Sequence, residues 1–516
     1  MRVAIRVDAS LTAGLGHVMR CLTLAQELRE HGATVTFISR EHPGNLCVLI
    51  EERGFSVSRL PVPAAKMVFD DAPVHAAWLG ASWQEDARQT LAVLDTTAEK
   101  FDWLVVDHYA IDYRWETAVA SSVTRMMAID DLADRQHACA LLLDQNLVAD
   151  FDIRYSGKVP ATCTLLLGPK YAMLQRDYAE LHEASVTPAG PIRRIFVFFG
   201  GADERNLTGR SLSAFLALGK SDIEIDVVIS TGSPHASAIR RQIQGCENVH
   251  LHSNLHSLAP LMRQADLAIG AGGTTSWERL CLGLPAFVVT LADNQRPIAA
   301  ELNRRGLIRW LGHQDDVTES DFSQALRELL AQPSLQSEFS SGTQVVDGKG
   351  VHRVRRAMVA TFASSLLARK VNLADESLLL EWANDPTTRA NAFSGLQITP
   401  QAHQQWFRGR VHNDDCHLYI VENETGEALG QVRFERIDKT WVVDYSLATV
   451  YRGCGMGRPL LDAALLRFRT DECAPFVIGE VKIDNLASRR VFESLGFSAE
   501  HEGCETVKYT CQFKSF

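Results

Sequence analysis

Short apolar runs alternate with amphipathic helical patterns from the start of the chain. Val3 to Val7 form an apolar run, a helical pattern follows from about His17 to His31, and Ala33 to Ile38 form the next run. Later apolar runs start at Trp103, Met126, Leu141 and Cys163. Strands that alternate with helices are typical of a parallel sheet with crossover helices. We therefore predict a first α/β domain over residues 1–188.

A second series of the same kind follows Ser185 to Pro191, a segment with two prolines and no periodic apolar pattern. Its apolar runs start at Arg194, Ile223, Val249, Leu267 and Ala286. We predict a second α/β domain over residues 189–366. Two open α/β domains in tandem favour a ligand cleft at the carboxyl ends of their strands, in a glycosyltransferase-B arrangement.

The pattern changes after Arg369. Helical patterns from Leu373 to Trp382 and near Gln401 to Arg410 precede three runs that alternate as antiparallel strands do. These runs are His417 to Glu422, Gly430 to Arg436 and Trp441 to Leu447. We predict an α+β third domain over residues 367–516. The expected fold class is α/β, with two Rossmann-like domains followed by this α+β domain.

Composition narrows the function classes. A length of 516 residues exceeds what one hydrophobic core normally supports, which agrees with three domains. The formal charge of -11 provides no basic stripe, so we expect neither nucleic acid nor a membrane as a partner. The eleven cysteines lack the spacing of a metal knuckle, and we expect no metal. Without a signal-peptide pattern or a long apolar run, a cytoplasmic protein is expected.

A glycine turn leads into the first predicted helix. Asp8 ends the first strand, and Gly14-Leu-Gly16-His17-Val-Met-Arg20 follows after a short loop. Glycines let the backbone approach a ligand, and amides at a helix start attract negative charge. His17 can exchange a proton near pH 7, which suits a general base that activates water. The alternative is a histidine that only caps or packs the helix. We predict substrate binding by Gly14, Gly16 and Arg20.

A second glycine loop, Gly270 to Thr275, precedes another helix. Small residues and hydroxyls at such a loop form a phosphate cradle, and a carboxylate one turn later can accept hydrogen bonds from a ribose diol. Glycine loops also serve tight packing, so the loop alone is weak evidence. The predicted substrate ligands of this region are Gly273, Thr274, Thr275, Ser276, Glu278, Asn294 and Gln295.

Further polar residues follow other predicted strands. The loop after the run Arg194 to Phe199 offers Gly201 and Asn206 for phosphate or sugar hydroxyls, although a plain surface turn explains them equally well. The pairs Asp107-His108 and Asp130-Asp131 either line the cleft or form loop hydrogen bonds.

Several of these segments together resemble one enzyme family. They are Asp8-Ala-Ser10, Gly14 to Ala25, Gly200 to Thr208, Ala271 to Glu278 and Val346 to Gly350. The family is the UDP-2,4-diacetamido-2,4,6-trideoxy-β-L-altropyranose hydrolase of bacterial pseudaminic acid synthesis, and the resemblance covers about residues 1–360. It implies that water attacks the anomeric carbon and UDP departs, with His17 as general base and Asp8 as a further catalytic candidate. Cradling the diphosphate makes UDP a good leaving group without a metal.

The third domain carries a glycine loop between a strand and an apolar helix. Arg452-Gly-Cys-Gly455-Met-Gly457 resembles the pyrophosphate loop of GCN5-related acetyltransferases, and Asn485 to Phe497 resembles their second cofactor motif. The resemblance implies acetyl-CoA as cosubstrate. The implied cofactor-binding residues are Arg452, Gly453, Gly455, Met456, Gly457, Arg458, Asn485 and Ser488.

Two positions in this domain leave the acetyl-transfer chemistry open. Phe492 stands where the family often has a tyrosine that protonates the departing thiolate, so the proton donor is unassigned. Glu480 is a candidate base acting through water, or else a surface carboxylate. The segment Trp382 to Asp385 with Arg389 resembles the amine-substrate side of the ribosomal-protein-type branch.

The fusion links the two expected reactions. Acetylation of UDP-4-amino-4,6-dideoxy-N-acetyl-β-L-altrosamine would supply the hydrolase with its UDP-linked amino-sugar substrate. One alternative is a glycosyltransferase fused to an unrelated N-acetyltransferase, which predicts acceptor-dependent UDP release. Another is a non-catalytic nucleotide-sugar binding protein, which predicts tight UDP binding without product.

Overall fold

The computed structural model contains two compact units, Met1–Arg355 and Arg356–Phe516. The described residues are 1–63, 73–96, 99–183, 191–201, 203–230, 232–331, 339, 342–362, 366–392, 394–423, 426–438, 440–452, 455–472, 474, 476–502 and 505–513. Within these ranges, no helix combines the length and apolar character needed to cross a membrane.

The first unit begins with a parallel seven-stranded sheet in the order β3-β2-β1-β4-β5-β6-β7. Its strands are β1 (Arg2–Val7), β2 (Thr34–Arg40), β3 (Ser56–Leu60), β4 (Phe101–Asp107), β5 (Val123–Ile129), β6 (Leu141–Asp144) and β7 (Thr164–Leu167). Its helices are α1 (Gly16–Glu30), α2 (Cys47–Glu52), α3 (Trp83–Leu94), α4 (Tyr113–Val119) and α5 (Arg176–His182). The central strands are apolar because helices cover both faces of a parallel sheet.

A second parallel sheet in the same unit has the order β10-β9-β8-β11-β12-β13. Its strands are β8 (Arg194–Phe198), β9 (Glu224–Val228), β10 (Val249–His252), β11 (Leu267–Ala271), β12 (Ala286–Thr290) and β13 (Arg309–His313). Its helices are α6 (Leu207–Leu216), α7 (Ala236–Gln242), α8 (Ala259–Gln264), α9 (Thr275–Cys281), α10 (Arg296–Arg304), α11 (Glu319–Ala331) and α12 (Gly350–Phe362). Both sheets follow the Rossmann order. Strands are added on one side of the first strand and then on its other side, while all of them run parallel.

The second unit contains a mixed seven-stranded sheet in the order β14-β15-β16-β17-β18-β20-β19. Its strands are β14 (Leu367–Lys370), β15 (Cys416–Glu422), β16 (Ala428–Ile437), β17 (Thr440–Leu447), β18 (Phe476–Lys482), β19 (Ser498–Glu502) and β20 (Thr506–Gln512). Its helices are α13 (Glu376–Asn384), α14 (Pro386–Asn391), α15 (Pro400–Val411), α16 (Gly457–Asp471) and α17 (Leu486–Ser494). Neighbouring strands are antiparallel except β17 and β18, which run parallel.

The predicted fold class is confirmed. Two Rossmann-like sheets are followed by the mixed sheet of an α+β region. The sequence pattern missed β3, β13, β14, β19 and β20, which are short or carry polar residues at many positions. The domain limits at residues 188 and 366 stay predictions. Residue 188 lies outside the described residues, and α5 packs its Tyr178 into the core of the second sheet.

Candidate functional site

The carboxyl edges of the two parallel sheets carry the candidate site of the first unit. In each sheet the order of strand addition changes sides next to the first strand. This switch lies between β1 and β4 in the first sheet and between β8 and β11 in the second. Such switch points leave a crevice at the carboxyl ends of the strands, where ligands bind. The histidine turn follows β1, Gly201 follows β8, and the loop before α9 follows β11. Asp107 is the last residue of β4. The two predicted glycine motifs therefore both lie at switch points.

Three contacts bring the loops of the two sheets together. A Cβ placed on Gly16 would lie 4.0 Å from Thr274 Oγ1, and one on Gly201 would lie 3.3 Å from Leu15 Cδ1. The Asn294 side-chain amide donates to the Tyr109 hydroxyl at 3.4 Å. The predicted ligands Gly16, Gly201, Thr274 and Asn294 consequently line one cleft.

His17 forms a short hydrogen bond with a carboxylate from another strand. Its Nδ1 lies 2.6 Å from Asp107 Oδ1, at the end of β4. Because the carboxylate accepts, Nδ1 carries the proton and Nε2 has the lone pair that can take one from water. His17 is 9% exposed, which leaves the ring near the cleft while fixing its orientation. The geometry favours a general base over a packing histidine.

Arg20 organises the carboxylates around this histidine. Its guanidinium donates to both oxygens of Asp107, at 2.6 and 2.7 Å, and to Asp131 at 2.7 Å. The Tyr109 hydroxyl donates to the same Asp131 oxygen at 2.8 Å. Although burial alone raises the pKa of Asp107, the charges of Arg20 and His17 hold it well below its usual range. Asp107 is therefore an anion at neutral pH, and the side chain of Arg20 is held by Asp107 and Asp131.

An aromatic group stands beside His17. The Tyr109 ring meets His17 edge-on, with 4.6 Å between ring centroids. Trp78 stacks on Tyr109 at 5.7 Å, and His75 lies 4.5 Å from Trp78. Aromatic surfaces of this kind pack against the apolar face of a ring while excluding water. The group provides an apolar wall next to the proposed base.

Asp8 has a different environment from that predicted for a catalytic residue. It is 2% exposed and forms an ion pair with Arg6 at 2.6 Å. It also accepts the Arg40 backbone amide at 2.7 Å and lies 3.4 Å from His108 Nε2. These partners make Asp8 a buried anchor at the end of β1. Its catalytic role stays a prediction.

The second glycine loop lies next to the side chain of Gln295. The Leu291 amide donates to Gln295 Oε1 at 2.8 Å, and Gln295 Nε2 would lie 3.7 Å from a Cβ on Gly273. Burial raises the pKa of Glu278 to about 7, while a hydrogen bond with Tyr178 opposes the shift. Ser276 is 1% exposed and accepts a hydrogen bond from Arg279 at 3.0 Å. Its role as a substrate ligand stays a prediction.

Asn206 is occupied by a structural contact. It adopts a left-handed conformation (φ 52°) and caps α6 by accepting the Gly209 amide at 3.2 Å. This is the turn-forming alternative considered for the loop, and sugar binding by Asn206 stays a prediction.

In the second unit, two parallel strands separate towards their carboxyl ends. β17 and β18 pair only from Trp441–Val477 to Val443–Gly479, although both strands continue for several residues. Separation leaves backbone amides and carbonyls that can bind an extended amide-containing chain as an added strand would. The 15-residue helix α16 begins at Gly457, beside this gap, after Gly455 in a left-handed conformation (φ 71°). This arrangement fits the phosphates and pantetheine arm of acetyl-CoA.

Several predicted cofactor ligands in this unit already have protein partners. Arg452 pairs with Asp385 and donates to Thr388 at 2.7 Å, and so ties the glycine loop to α14. Asn485 caps α17 by accepting the Ser488 amide at 3.2 Å. Met456 is the buried residue that precedes α16, while Arg458 lies in its first turn. Gly453 lies outside the described residues, and the ligand roles of this set stay predictions.

Phe492 packs in the core of the second unit. Its ring stacks on Tyr509 at 5.3 Å and occupies the space above Gly479, where a Cβ would lie 2.5 Å from it. The Tyr445 hydroxyl lies nearby and shares a hydrogen bond of 3.1 Å with Ser488 Oγ. Glu480 is exposed on β18 opposite Lys508, a position compatible with either of its alternatives.

Comparison with known families assigns the two regions separately. Residues 194–350 match the family described as glycosyltransferase family 28 C-terminal domain. Residues 365–498 match the acetyltransferase (GNAT) domain family. The chain is a fusion of a glycosyltransferase-like region and a GNAT acetyltransferase domain.

One relative matches nearly the whole chain, and two others match only part of it. An uncharacterized protein of Methanocaldococcus jannaschii is 22% identical over 98% of both chains. The UDP-2,4-diacetamido-2,4,6-trideoxy-β-L-altropyranose hydrolase of Campylobacter jejuni is 25% identical over 59% of this chain and 97% of its own. The spore coat polysaccharide biosynthesis protein SpsG of Bacillus subtilis is 31% identical over 39% of this chain and 60% of its own. The glycosyltransferase-like region is therefore homologous to a UDP-sugar hydrolase.

Solved structures resemble each region. MurG of Acinetobacter baumannii has a TM-score of 0.48 and 13% identity, over 69% of this chain and 98% of that one. Spermidine N-acetyltransferase of Vibrio cholerae has a TM-score of 0.27 and 17% identity, over 29% of this chain and 96% of that one.

Sequence reasoning missed functional partners that are distant in the chain. Asp107 was one of four acidic or histidine residues grouped as possible cleft residues, and nothing marked it as the partner of His17. Tyr109 and Trp78 carried no signal at all. Asp107 and Tyr109, two positions apart at the end of a predicted strand, are the feature that would have indicated the site.

Proposed function

We propose that the glycosyltransferase-like region hydrolyses UDP-2,4-diacetamido-2,4,6-trideoxy-β-L-altropyranose to UDP and the free sugar. The observation that carries the proposal is the His17–Asp107 pair, which faces a glycine loop across the cleft. Nε2 of His17 takes a proton from water, and the water oxygen forms a bond to the anomeric carbon. The bond from that carbon to the diphosphate oxygen breaks, and UDP leaves with the electron pair.

The two sides of the cleft divide this work. The Asp107 carboxylate stabilises the imidazolium that forms when His17 accepts the proton. The loop from Gly273 to Thr275 offers backbone amides and hydroxyls to the diphosphate, whose charge increases as the bond breaks. Homology with the Campylobacter hydrolase supports water as the acceptor.

Isotope labelling tests this reaction directly. The purified protein is incubated with the UDP-sugar in ¹⁸O-water, and the products are separated by mass spectrometry. Attack at the anomeric carbon places ¹⁸O in the free sugar and leaves UDP unlabelled. Label in UDP would refute the mechanism, and UDP release that requires an added sugar acceptor would indicate a glycosyltransferase.

The GNAT domain is proposed to acetylate the 4-amino group of the UDP-linked precursor. Acetyl-CoA supplies the acetyl group as a thioester. The start of α16 and the gap between β17 and β18 bind and orient this cosubstrate, so that the amine meets the thioester at the separated strands. Acetylation would thus produce the substrate of the first region within the same protein.

Gly455→Val tests the proposed cosubstrate site. A β-branched residue is strained at the φ of 71° that Gly455 adopts, so the loop should lose its shape. We expect acetyl-CoA binding, measured by calorimetry, to weaken at least about tenfold while UDP-sugar hydrolysis stays unchanged. Gly426→Val, at φ 78° in a hairpin turn, is the matched control. Unchanged acetyl-CoA affinity in the Gly455 variant would contradict the assignment.

A further inference from the structure

Buried arginines in the first unit fall into two groups. Four of them pair with buried carboxylates: Arg6 with Asp8, Arg20 with Asp107, Arg40 with Asp86, and Arg135 with Asp130. The fifth, Arg279, is 1% exposed and forms no ion pair among the described residues, and the charge of the adjacent Glu278 only partly offsets its burial. Buried charges are expensive and are normally paired, so this exception requires an explanation.

Arg279 lies directly beneath the loops of the cleft. Its Nη2 donates to the Ala271 carbonyl at 2.6 Å and to Ser276 Oγ at 3.0 Å. A Cβ placed on Gly270 would lie 2.7 Å from Nη1 and would also collide with the Phe198 carbonyl. The guanidinium therefore fills the place of a side chain at Gly270, between the carboxyl ends of β8 and β11.

The remaining nitrogens of this guanidinium are unsatisfied. Nε and Nη1 have no hydrogen-bond partner among the described residues. Burial lowers the pKa of Arg279 to about 10, so the group is still a cation at neutral pH. A cation in this position makes the electrostatic potential of the loop positive, and the low local dielectric weakens its screening.

We propose that Arg279 is the buried countercharge of a nucleoside diphosphate bound on the loop Ala271 to Thr275. It acts through this loop without touching the ligand and is therefore a positioning residue. The inference rests on the proposed function, because it takes the diphosphate of a nucleotide sugar as the ligand. The charge on the diphosphate grows as UDP leaves, so the same cation favours bond breaking.

A purely structural role makes different predictions. Arg279 holds the Ala271 carbonyl and Ser276, and a structural residue would affect all ligands and the folded state alike. A countercharge instead discriminates between charged and uncharged ligands of the same site. UDP and uridine form such a pair, since they share the nucleoside and differ in the diphosphate.

Calorimetry of UDP and uridine binding to the full-length protein separates these roles. In Arg279→Met we expect UDP affinity to fall roughly tenfold to a hundredfold, while uridine affinity changes less than about twofold. Arg279→Lys keeps the charge and should retain most of the discrimination. Arg304→Met removes an exposed arginine from α10 and is the matched control, with both affinities unchanged. An unchanged ratio of UDP to uridine affinity in Arg279→Met would overturn the proposal.

The wild-type protein provides a test that does not depend on variants folding. Buried charges are screened much less by salt than exposed ones. UDP affinity should thus fall by less than about threefold between roughly 0.05 and 0.5 M NaCl. A fall of more than about tenfold would assign the attraction to exposed cations and reject Arg279. If the wild-type protein binds no UDP at all, the proposed function itself fails, which is distinct from failure of the countercharge.

Discussion

The two sheet edges that face the cleft differ in how their charges are balanced. At the edge of the first sheet, Arg20 is neutralised by Asp107 and Asp131 before any ligand arrives. At the edge of the second sheet, Arg279 lies buried with no carboxylate in ion-pair contact among the described residues, and the neighbouring Glu278 acts on it only through its charge. A balanced network fixes the orientation of a base, whereas an unbalanced one attracts an anion.

The carboxyl groups of the two edges differ in the same way. Asp107 has a pKa well below its usual range because Arg20 and His17 favour its charged form. Burial raises the pKa of Glu278 to about 7, since a hydrogen bond with Tyr178 and the charge of Arg279 oppose the shift only in part. Asp107 is therefore ionised at neutral pH, while Glu278 changes its charge there.

Of the carboxyl groups at the two edges, Asp107 should give the largest effect when its charge is removed. In Asp107→Asn the imidazolium of His17 loses its stabilising anion, and the amide can favour the wrong tautomer. We expect kcat for hydrolysis to fall about a hundredfold or more, with UDP affinity nearly unchanged. Steady-state kinetics and UDP calorimetry measure the two quantities. Asp95→Asn, an exposed carboxylate after α3, is the control.

An equal loss of kcat and UDP affinity in Asp107→Asn would break the comparison. It would show that the first edge contributes to nucleotide binding as well as to proton transfer.

A smaller effect is expected when Glu278 is neutralised. Its pKa is raised in the folded state, so the folded protein binds more protons than the unfolded chain between pH 4.5 and 7. Stability from this group is complete below pH 4.5 and is lost as pH rises to 7. Glu278→Gln cannot ionise, so its stability relative to wild type should rise by on the order of 2 kcal/mol between pH 5 and 8.

Denaturant unfolding at several pH values measures this change. Glu180→Gln, an exposed residue on α5, should show no such trend. A Glu278 variant whose stability follows the wild-type pH profile would mean that Glu278, like Asp107, is already ionised at neutral pH.

Local signals in the sequence predicted much of the fold. Glycine turns such as Gly14 and Gly455 are encoded within a few residues, and both occur between a strand and a helix as expected. The apolar runs located most strands, because parallel strands are buried on both faces. Short strands such as β3 and β19 have mixed polarity and were missed for that reason.

Long-range partnerships explain what the sequence did not reveal. Asp107 is 90 residues from His17, and their contact depends on β1 lying beside β4. Arg279 looks like an ordinary helix cation, and only the sheet geometry places its guanidinium over Gly270. The contact of Asp8 with Arg6 was predictable from the sequence, because the two residues are two positions apart and therefore on the same face of the strand.

The central claim is that the first edge activates water while the second holds the leaving UDP. His17→Gln tests it most directly, with hydrolysis and UDP affinity measured on the same preparation. The account predicts that hydrolysis falls about a thousandfold while UDP affinity stays within about twofold of wild type. Normal hydrolysis by His17→Gln would contradict the account, because another group would then be the base.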